Sequence, residues 1–491
     1  MRSEPDYKVL VMGAGVAGLG LAARLLDQGE HSFLLLEQSD RLGGTWRDNT
    51  YPGCACDVPS HLYWYSFDPS PPEWSRVYPT QSEVLSHLAD FARRTGADRH
   101  IRLETRVVGA AWDEDALLWR ITTASGEELT AQVFVSACGQ LSQPSFRGIA
   151  GRERFTGTWF HSARWRHDVD LTGKRVACVG SGASAAQLIP EVARVADRLT
   201  VFQRSAPYVL PRDDRAYTEQ ERRAFREEPE ALAKSRAEHF AERERMFLAL
   251  IPGSPVAQET VQIARGHLEA QVPDRALREK LWPDYDFGCK RPVISDDYLP
   301  AFTRDNVELV TEPVAQVEPA GVRDATGVLH EVDVIVYSTG FESLRFLDGV
   351  AVTVGDRTDL HRDAWASAPE AYLGMTVAGF PNFFILYGPN TNLNHNSIIM
   401  MFEAQYSHLL EGLAQLDGTT RALEVRPDVL ADYNTDLQHR LAGSAFTSGC
   451  SSWYISDTGR IVTNWWGTVV AYRDRATPFD PADYRRITLS D

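Results

Sequence analysis

The sequence predicts an α/β protein with two Rossmann-like dinucleotide-binding domains and a helical insertion in the second. Three observations carry this expectation. Glycine-rich turns begin at Gly13 and at Gly180, each set between an apolar strand and an Ala/Leu-rich helix. Each is followed, 24 residues after its first glycine, by a charged residue at the end of a second apolar strand. Between Arg212 and Tyr285 the chain turns charge-rich and helical, as in YTEQERRAFREEPEALAKSRAEHFAERERMF, the pattern of a solvated helix face.

The first unit starts with an apolar strand, Val9 to Met12, that feeds Gly13-x-Gly15-x-x-Gly18. The glycines allow a tight turn, close approach of a pyrophosphate and close helix–strand packing. The helix that follows, with Ala17 in its first turn, offers amide donors and a positive dipole end to phosphates. A second strand, Phe33 to Leu36, ends at Glu37, whose carboxylate is placed to accept hydrogen bonds from ribose hydroxyls. The second unit repeats the order: strand Arg175 to Val179, then Gly180-x-Gly182-x-x-Ala185, with Ala183 and Ser184 opening the helix. Its strand-end residue is Arg204, followed by Ser205. A carboxylate there would repel a 2′-phosphate, whereas a guanidinium pairs with one in bidentate fashion. The first turn therefore points to FAD and the second to NADPH, with a solvated strand-end charge as the alternative for Arg204.

The segments FVSACGQLSQP (134–144) and DVIVYSTGFE (333–342) each end an apolar strand in small residues and glycine, and read as exits from the two folds. The expected division is 1–146 with 373–491 for the FAD-binding domain and 147–372 for the NADPH-binding domain, with the insertion at about 212–286. A helix is expected from about Met401 to Leu413.

At 491 residues the chain is long enough for two or three cores, and its net charge of −17 argues against nucleic acid and against anionic membrane surfaces. No apolar run reaches the ~18 residues of a membrane span, so no membrane insertion is expected. The start goes almost directly into the first strand without the features of a secretory leader, and a cytoplasmic location is expected. The six cysteines, Cys54, Cys56, Cys138, Cys178, Cys289 and Cys450, are scattered and read as reduced thiols. No Cys/His cluster points to a metal, and no GxSxG to a serine hydrolase.

Three further patterns are more specific. FTGTWFHSARW (155–165) carries Phe155, Gly157, His161 and Trp165 in FxGxxxHxxxW spacing; GGTWRDNTYPGCACD (43–57) fits GGxWxxxxYPGxxxD; and Lys290-Arg291 form a KR pair. Together they resemble the signatures of type I Baeyer–Villiger monooxygenases, and the resemblance runs from the first glycine turn to the C-terminal SSWY. Arg166 departs from the family, which usually has Pro or Asp there. Related flavin monooxygenases that oxygenate nitrogen or sulfur usually carry Tyr or Phe where Trp165 stands, so Trp165 favours the Baeyer–Villiger branch.

The resemblance implies FAD and NADPH as cofactors, and O2 and a small lipophilic ketone as substrates. It implies insertion of one oxygen atom beside the carbonyl, through a C4a-peroxyflavin, to give an ester or lactone. It makes Arg291 the fixed cation that stabilises anionic intermediates and Asp57 its orienting partner; the plainer alternative is a turn cap and a surface ion pair. Thr45, Trp46, Tyr63 and Val107 match positions near the flavin. Lys290 helps Arg204 hold the 2′-phosphate, or is a solvated charge. Trp453 either contacts the NADP ribose or is an aromatic under the C-terminal lobe. His161 is a hinge on a linker between the two folds rather than a catalyst. In the loop 388–401, whose following helix N-terminus should face the flavin, His395 is equally an acid–base group or part of an asparagine-rich loop. Oxygenation of nitrogen or sulfur remains the alternative function, and the resemblance assigns no oligomeric state.

Overall fold

The computed structural model describes residues 4–146, 148–355 and 358–488. They form a mixed α/β structure around two principal sheets. The first runs in the order Thr358–Asp359, Ala351–Val354, Val107–Asp113, Leu118–Thr123, Glu128–Ser136, Tyr7–Met12, Phe33–Leu36, Ile101–Arg102, with Phe383–Ile385 also paired to Glu128–Ser136. Its parallel centre is made of short, fully apolar runs such as VLVM and FLLL. Val9, Leu10, Val11 and Leu35 have no exposed surface, as expected for strands covered on both faces. The helix Val16–Asp27 covers one face and buries Leu19, Leu21 and Leu25. Each such side chain contributes about 1.5–3 kcal/mol when fully buried.

The second sheet runs Val307–Val310, Arg198–Phe202, Arg175–Val179, Val334–Tyr337, Thr158–His161 and is parallel throughout. The helix Ala183–Val195 packs on it through Leu188, Ile189 and Val192. Between the two sheets the connecting segments meet: the Ser145 amide donates to Gly340 O, and the Glu342 amide to Gln143 O.

A short parallel pair, Val209–Leu210 with Val293–Ile294, brackets the insertion. Its helices, Glu219–Glu227, Pro229–Met246, Pro255–Gln271 and Arg275–Leu281, lie within the charge-rich stretch. The pairing also fixes where the chain comes back, two residues after Arg291. The expected helix near the C-terminal loop extends over Ile398–Ala414.

Three expectations need correction. The strand Ala351–Val354 pairs in parallel with Gly109–Trp112 of the first sheet, so the chain rejoins that sheet well before residue 373. The segment 155–165 is not only a linker: Thr158–His161 is an edge strand of the second sheet, in register with Val334–Tyr337. Finally, the cysteines are not all free thiols, because Cys289 and Cys450 form a disulfide across 161 residues of sequence. The end of the insertion and the loop before Trp453 fold against each other and bring the two sulfurs together. The other four cysteines are free.

Candidate active site

One cavity of about 440 Å³ runs between the two sheets. Gly13, Gly15, Ala17, Glu37, Thr45, Trp46, Asp57, Tyr63 and Val107 line it from the first side. Ala183, Ser184, Arg291 and Trp453 line it from the other. Residues separated by more than 400 positions in sequence thus share one space.

At its first end the turn of Gly13 leads into the helix starting at Val16, and the buried carboxylate of Glu37 supports it. Glu37 Oε2 accepts from the Ala14 amide at 3.0 Å. Glu37 Oε1 accepts from the Ser39 amide at 3.0 Å and from Arg47 Nη1 at 2.8 Å. A carboxylate has about four lone-pair sites, so Oε2 keeps one for a ligand hydroxyl. Arg47, seven per cent exposed, is a partner that sequence reasoning missed. Its only signal was its place directly after Trp46 in GGTWR. Trp46 Nε1 donates to the Tyr63 hydroxyl at 3.0 Å, and the two rings meet edge to face, which fixes both aromatics at the cavity wall. Gly18 does not line the cavity but packs beneath the turn against Gly13 O.

Across the cavity, Arg291 Nη2 and Nε donate to Asp57 Oδ2 at 2.5 and 3.2 Å, and Nη1 donates to Leu393 O at 3.1 Å. The pair bridges 234 residues of sequence. Asp57 ends the segment YPGCACD, and Arg291 stands just before the strand that closes the insertion. Both side chains keep about a third of their surface, and both line the cavity. Burial pushes the Asp57 carboxyl up. The Arg291 guanidinium more than offsets this, with Arg243 and Arg212 adding to it, and holds the carboxyl below its ordinary value. The Asp57 charge in turn raises Arg291 above its ordinary value, so the guanidinium stays charged.

The segment before Asp57 also ties the two halves together. Gln187, on the helix of the second turn, accepts from the Tyr51 hydroxyl at 3.0 Å and donates to Ala55 O at 3.0 Å. Gln187 was not singled out from sequence, because a glutamine inside an amphipathic helix carries no distinguishing pattern.

Ala183 and Ser184 bring the second turn to the cavity, Ala185 is buried beneath that turn, and Gly180, Gly182, Arg204, Ser205 and Lys290 are not among the cavity's lining residues. Arg204 is exposed and, among the described residues, makes no ion pair. Lys290 Nζ donates to Ser205 Oγ at 2.7 Å. Burial and the neighbouring Arg204 charge lower the Lys290 pKa. Among the described residues neither cation forms an ion pair with a carboxylate, though the Asp284 charge partly offsets the lowering at Lys290.

The residues of FxGxxxHxxxW stand apart from the cavity. Phe155 joins the core of the second sheet, and Gly157 lets the chain pass close to Asp333 O. Trp165 stacks edge-on against Phe160. His161 is buried, its Nδ1 accepts from the Ala163 amide, and its ring meets Phe146 and Phe341 of the two connecting segments. Burial lowers its pKa to about 4. The signature therefore anchors an edge strand against the connections between the sheets.

Among the described residues, no group of three His, Cys, Asp or Glu is set to hold a metal ion. No helix of the described residues is long and apolar enough to cross a membrane.

Comparison with known proteins agrees with this architecture. Residues 6–221 match the family model of flavin-binding monooxygenase-like proteins. A Baeyer–Villiger monooxygenase of Streptomyces coelicolor is 41% identical over 481 residues, which is 97% of this chain and 92% of that protein. The solved structure of oxidized steroid monooxygenase bound to NADP is 32% identical with a TM-score of 0.84, covering 98% of this chain and 99% of that one. That of OTEMO in complex with FAD and NADP is 28% identical with a TM-score of 0.89, covering 99% and 100%. The chain belongs to the Baeyer–Villiger monooxygenase family.

Proposed function

We propose that this chain is an FAD- and NADPH-dependent Baeyer–Villiger monooxygenase that inserts one oxygen atom of O2 beside the carbonyl of a small lipophilic ketone, giving an ester or lactone. The carrying observation is the Arg291–Asp57 pair, held at the wall of a cavity that reaches both glycine turns.

The residues fit the two dinucleotides in two Rossmann-type units. The first turn offers a side-chain-free backbone, a helix N-terminus for the pyrophosphate and the spare lone pair of Glu37 for a ribose hydroxyl. At the second turn, Arg204 and Lys290 flank Ser205 and suit a 2′-phosphate. When bound, FAD supplies the chemistry that takes reducing equivalents from NADPH and activates O2. The protein supplies position and charge.

Arg291 spends three of its five N–H groups on Asp57 and Leu393 O, which leaves two for developing negative charge on a substrate oxygen. Asp57 locks the guanidinium plane and, with its lowered pKa, stays ionised through the neutral range. Arg291 cannot give up a proton at neutral pH, so it stabilises an anion without protonating it. Oxygenation of nitrogen or sulfur does not call for such a cation. For location, we propose a cytoplasmic, NADPH-supplied compartment.

Arg291→Ala tests this reading. Ester formation should fall by about 10²- to 10³-fold, while flavin reduction by NADPH, followed by anaerobic stopped-flow absorbance, persists. Ester formation at wild-type rate in this variant would remove Arg291 from the mechanism.

A further inference from the structure

Beside Arg291 lies a second, smaller cavity of about 50 Å³ that shares Asp57 and Arg291 with the large one. Met246, Leu250 and Phe287 give it apolar walls, and Arg243, Asn394 and His395 also line it. Four polar atoms of these last residues are shut off from water without a hydrogen-bond partner: Arg243 Nε, Asn394 Oδ1, and both His395 Nδ1 and Nε2. Unpartnered buried polar atoms are costly, and four on residues around one small cavity mark a place for a hydrogen-bonding group.

The rest of the Arg243 and Asn394 side chains is held. Arg243 Nη2 donates to the Tyr78 hydroxyl at 2.6 Å, and Asn394 Nδ2 donates to the Tyr454 hydroxyl at 2.7 Å. His395 Nε2 stands 3.6 Å from Glu244 Oε1. Glu244 is itself fixed by Asn396 Nδ2 and by the amides of Val469 and Val470. The 3.6 Å separation of His395 from Glu244 is longer than a hydrogen bond, so both ring nitrogens are open to a ligand, and a neutral imidazole carries one donor and one acceptor between them. The residues lining the cavity therefore carry one free donor, Arg243 Nε–H, one free acceptor, Asn394 Oδ1, and one of each on the His395 ring. A carbonyl could satisfy only the donors. An ammonium could satisfy only the acceptors and would face Arg243. A hydroxyl both donates and accepts, and it suits a space this small.

We propose that this cavity is a hydroxyl subsite of the ketone site, and that the substrate is a hydroxyketone. Its hydroxyl accepts from Arg243 and donates to His395 or Asn394, its carbon skeleton lies on the apolar wall, and its carbonyl lies at Arg291. The inference rests on the proposed oxygenase reading, and its test separates the two.

The probes are 4-hydroxycyclohexanone and 4-methylcyclohexanone, which differ by a hydroxyl in place of a methyl of similar size. Binding to the oxidised, flavin-loaded protein in the presence of NADP⁺ is measured by flavin absorbance changes, and lactone by mass spectrometry. The wild type should bind the hydroxyketone at least about tenfold more tightly. His395→Leu should lose that preference, and His395→Gln, which can still accept a hydrogen bond, should retain part of it; bound flavin reports that each variant is folded. Equal binding of the two ketones by the wild type overturns the subsite, and so does a preference that survives in a flavin-loaded His395→Leu. Preferential binding without lactone would leave the subsite standing and overturn the oxygenase reading. Lactone from both ketones with equal binding would do the reverse.

Discussion

The two glycine turns are made alike and covered differently. Gly13 and Gly180 adopt φ of +108° and +121°, and each passes tightly by the backbone carbonyl of a strand exit, Ala137 O or Ser338 O. Beyond that they diverge. A Cβ on Gly15 would stand 3.5 Å from Gly44 Cα, because the GGTW segment closes over the first turn. A Cβ on Gly182 would meet nothing within 4 Å. Glu37 is buried and bound to Arg47, whereas Arg204 is exposed with no ion pair among the described residues. The difference matches what the proposed reaction asks of each site. FAD has to stay through many turnovers, and NADPH has to arrive and leave.

The sharpest way to break the comparison is Gly18→Val. Its Cβ would stand 2.1 Å from Gly13 O, a clash with backbone that no side-chain rotation relieves. The expected outcome is protein purified without flavin, seen as the loss of visible absorbance. Flavin at full occupancy would contradict the closed first turn. Next in size, Arg204→Glu should raise the KM for NADPH about 10- to 100-fold, through the loss of a charge-assisted contact. The KM for NADH should change little, and steady-state kinetics with both coenzymes checks it.

Acid should act mainly on the first region. Burial lowers the pKa of His61, His87 and His408 to about 4, and His161, in the second sheet, behaves likewise. Each folded site keeps the neutral ring against an ordinary pKa of about 6.5. Their contribution is therefore complete above about pH 6.5 and is lost as pH falls toward 4. Flavin fluorescence should rise within that window as cofactor is released. A flat signal down to pH 4 would mean these rings protonate without cost. The smallest effect is expected from Gly182→Ala, within about 0.5 kcal/mol of wild type in stability and with unchanged flavin content, as judged by thermal denaturation.

Much of this was legible in the sequence, and the reasons are local. The strands Phe33–Leu36 and Arg175–Val179 stand where the apolar runs place them, because a turn signal bounds each run. The Asp57–Arg291 contact spans 234 residues, and only the family signatures tied its halves together. Other features had no local signal. Ala351–Val354 is four residues long, too short for its pattern to say which sheet it joins. The Cys289–Cys450 bridge cannot be read from cysteine count or spacing. The edge strand Thr158–His161 has an exposed Trp159 and reads as a linker until Val334–Tyr337 is laid beside it. The unpartnered atoms of Arg243, Asn394 and His395 meet only in the folded chain.

The most direct test of the central claim is oxygenation of a ketone under ¹⁸O2 with NADPH, read by mass spectrometry. The account predicts an ester or lactone heavier than the ketone by one ¹⁸O atom, formed with matched NADPH oxidation and absent with Arg291→Ala. NADPH oxidation that yields no labelled ester from any ketone, or a label placed only on nitrogen or sulfur, would contradict it.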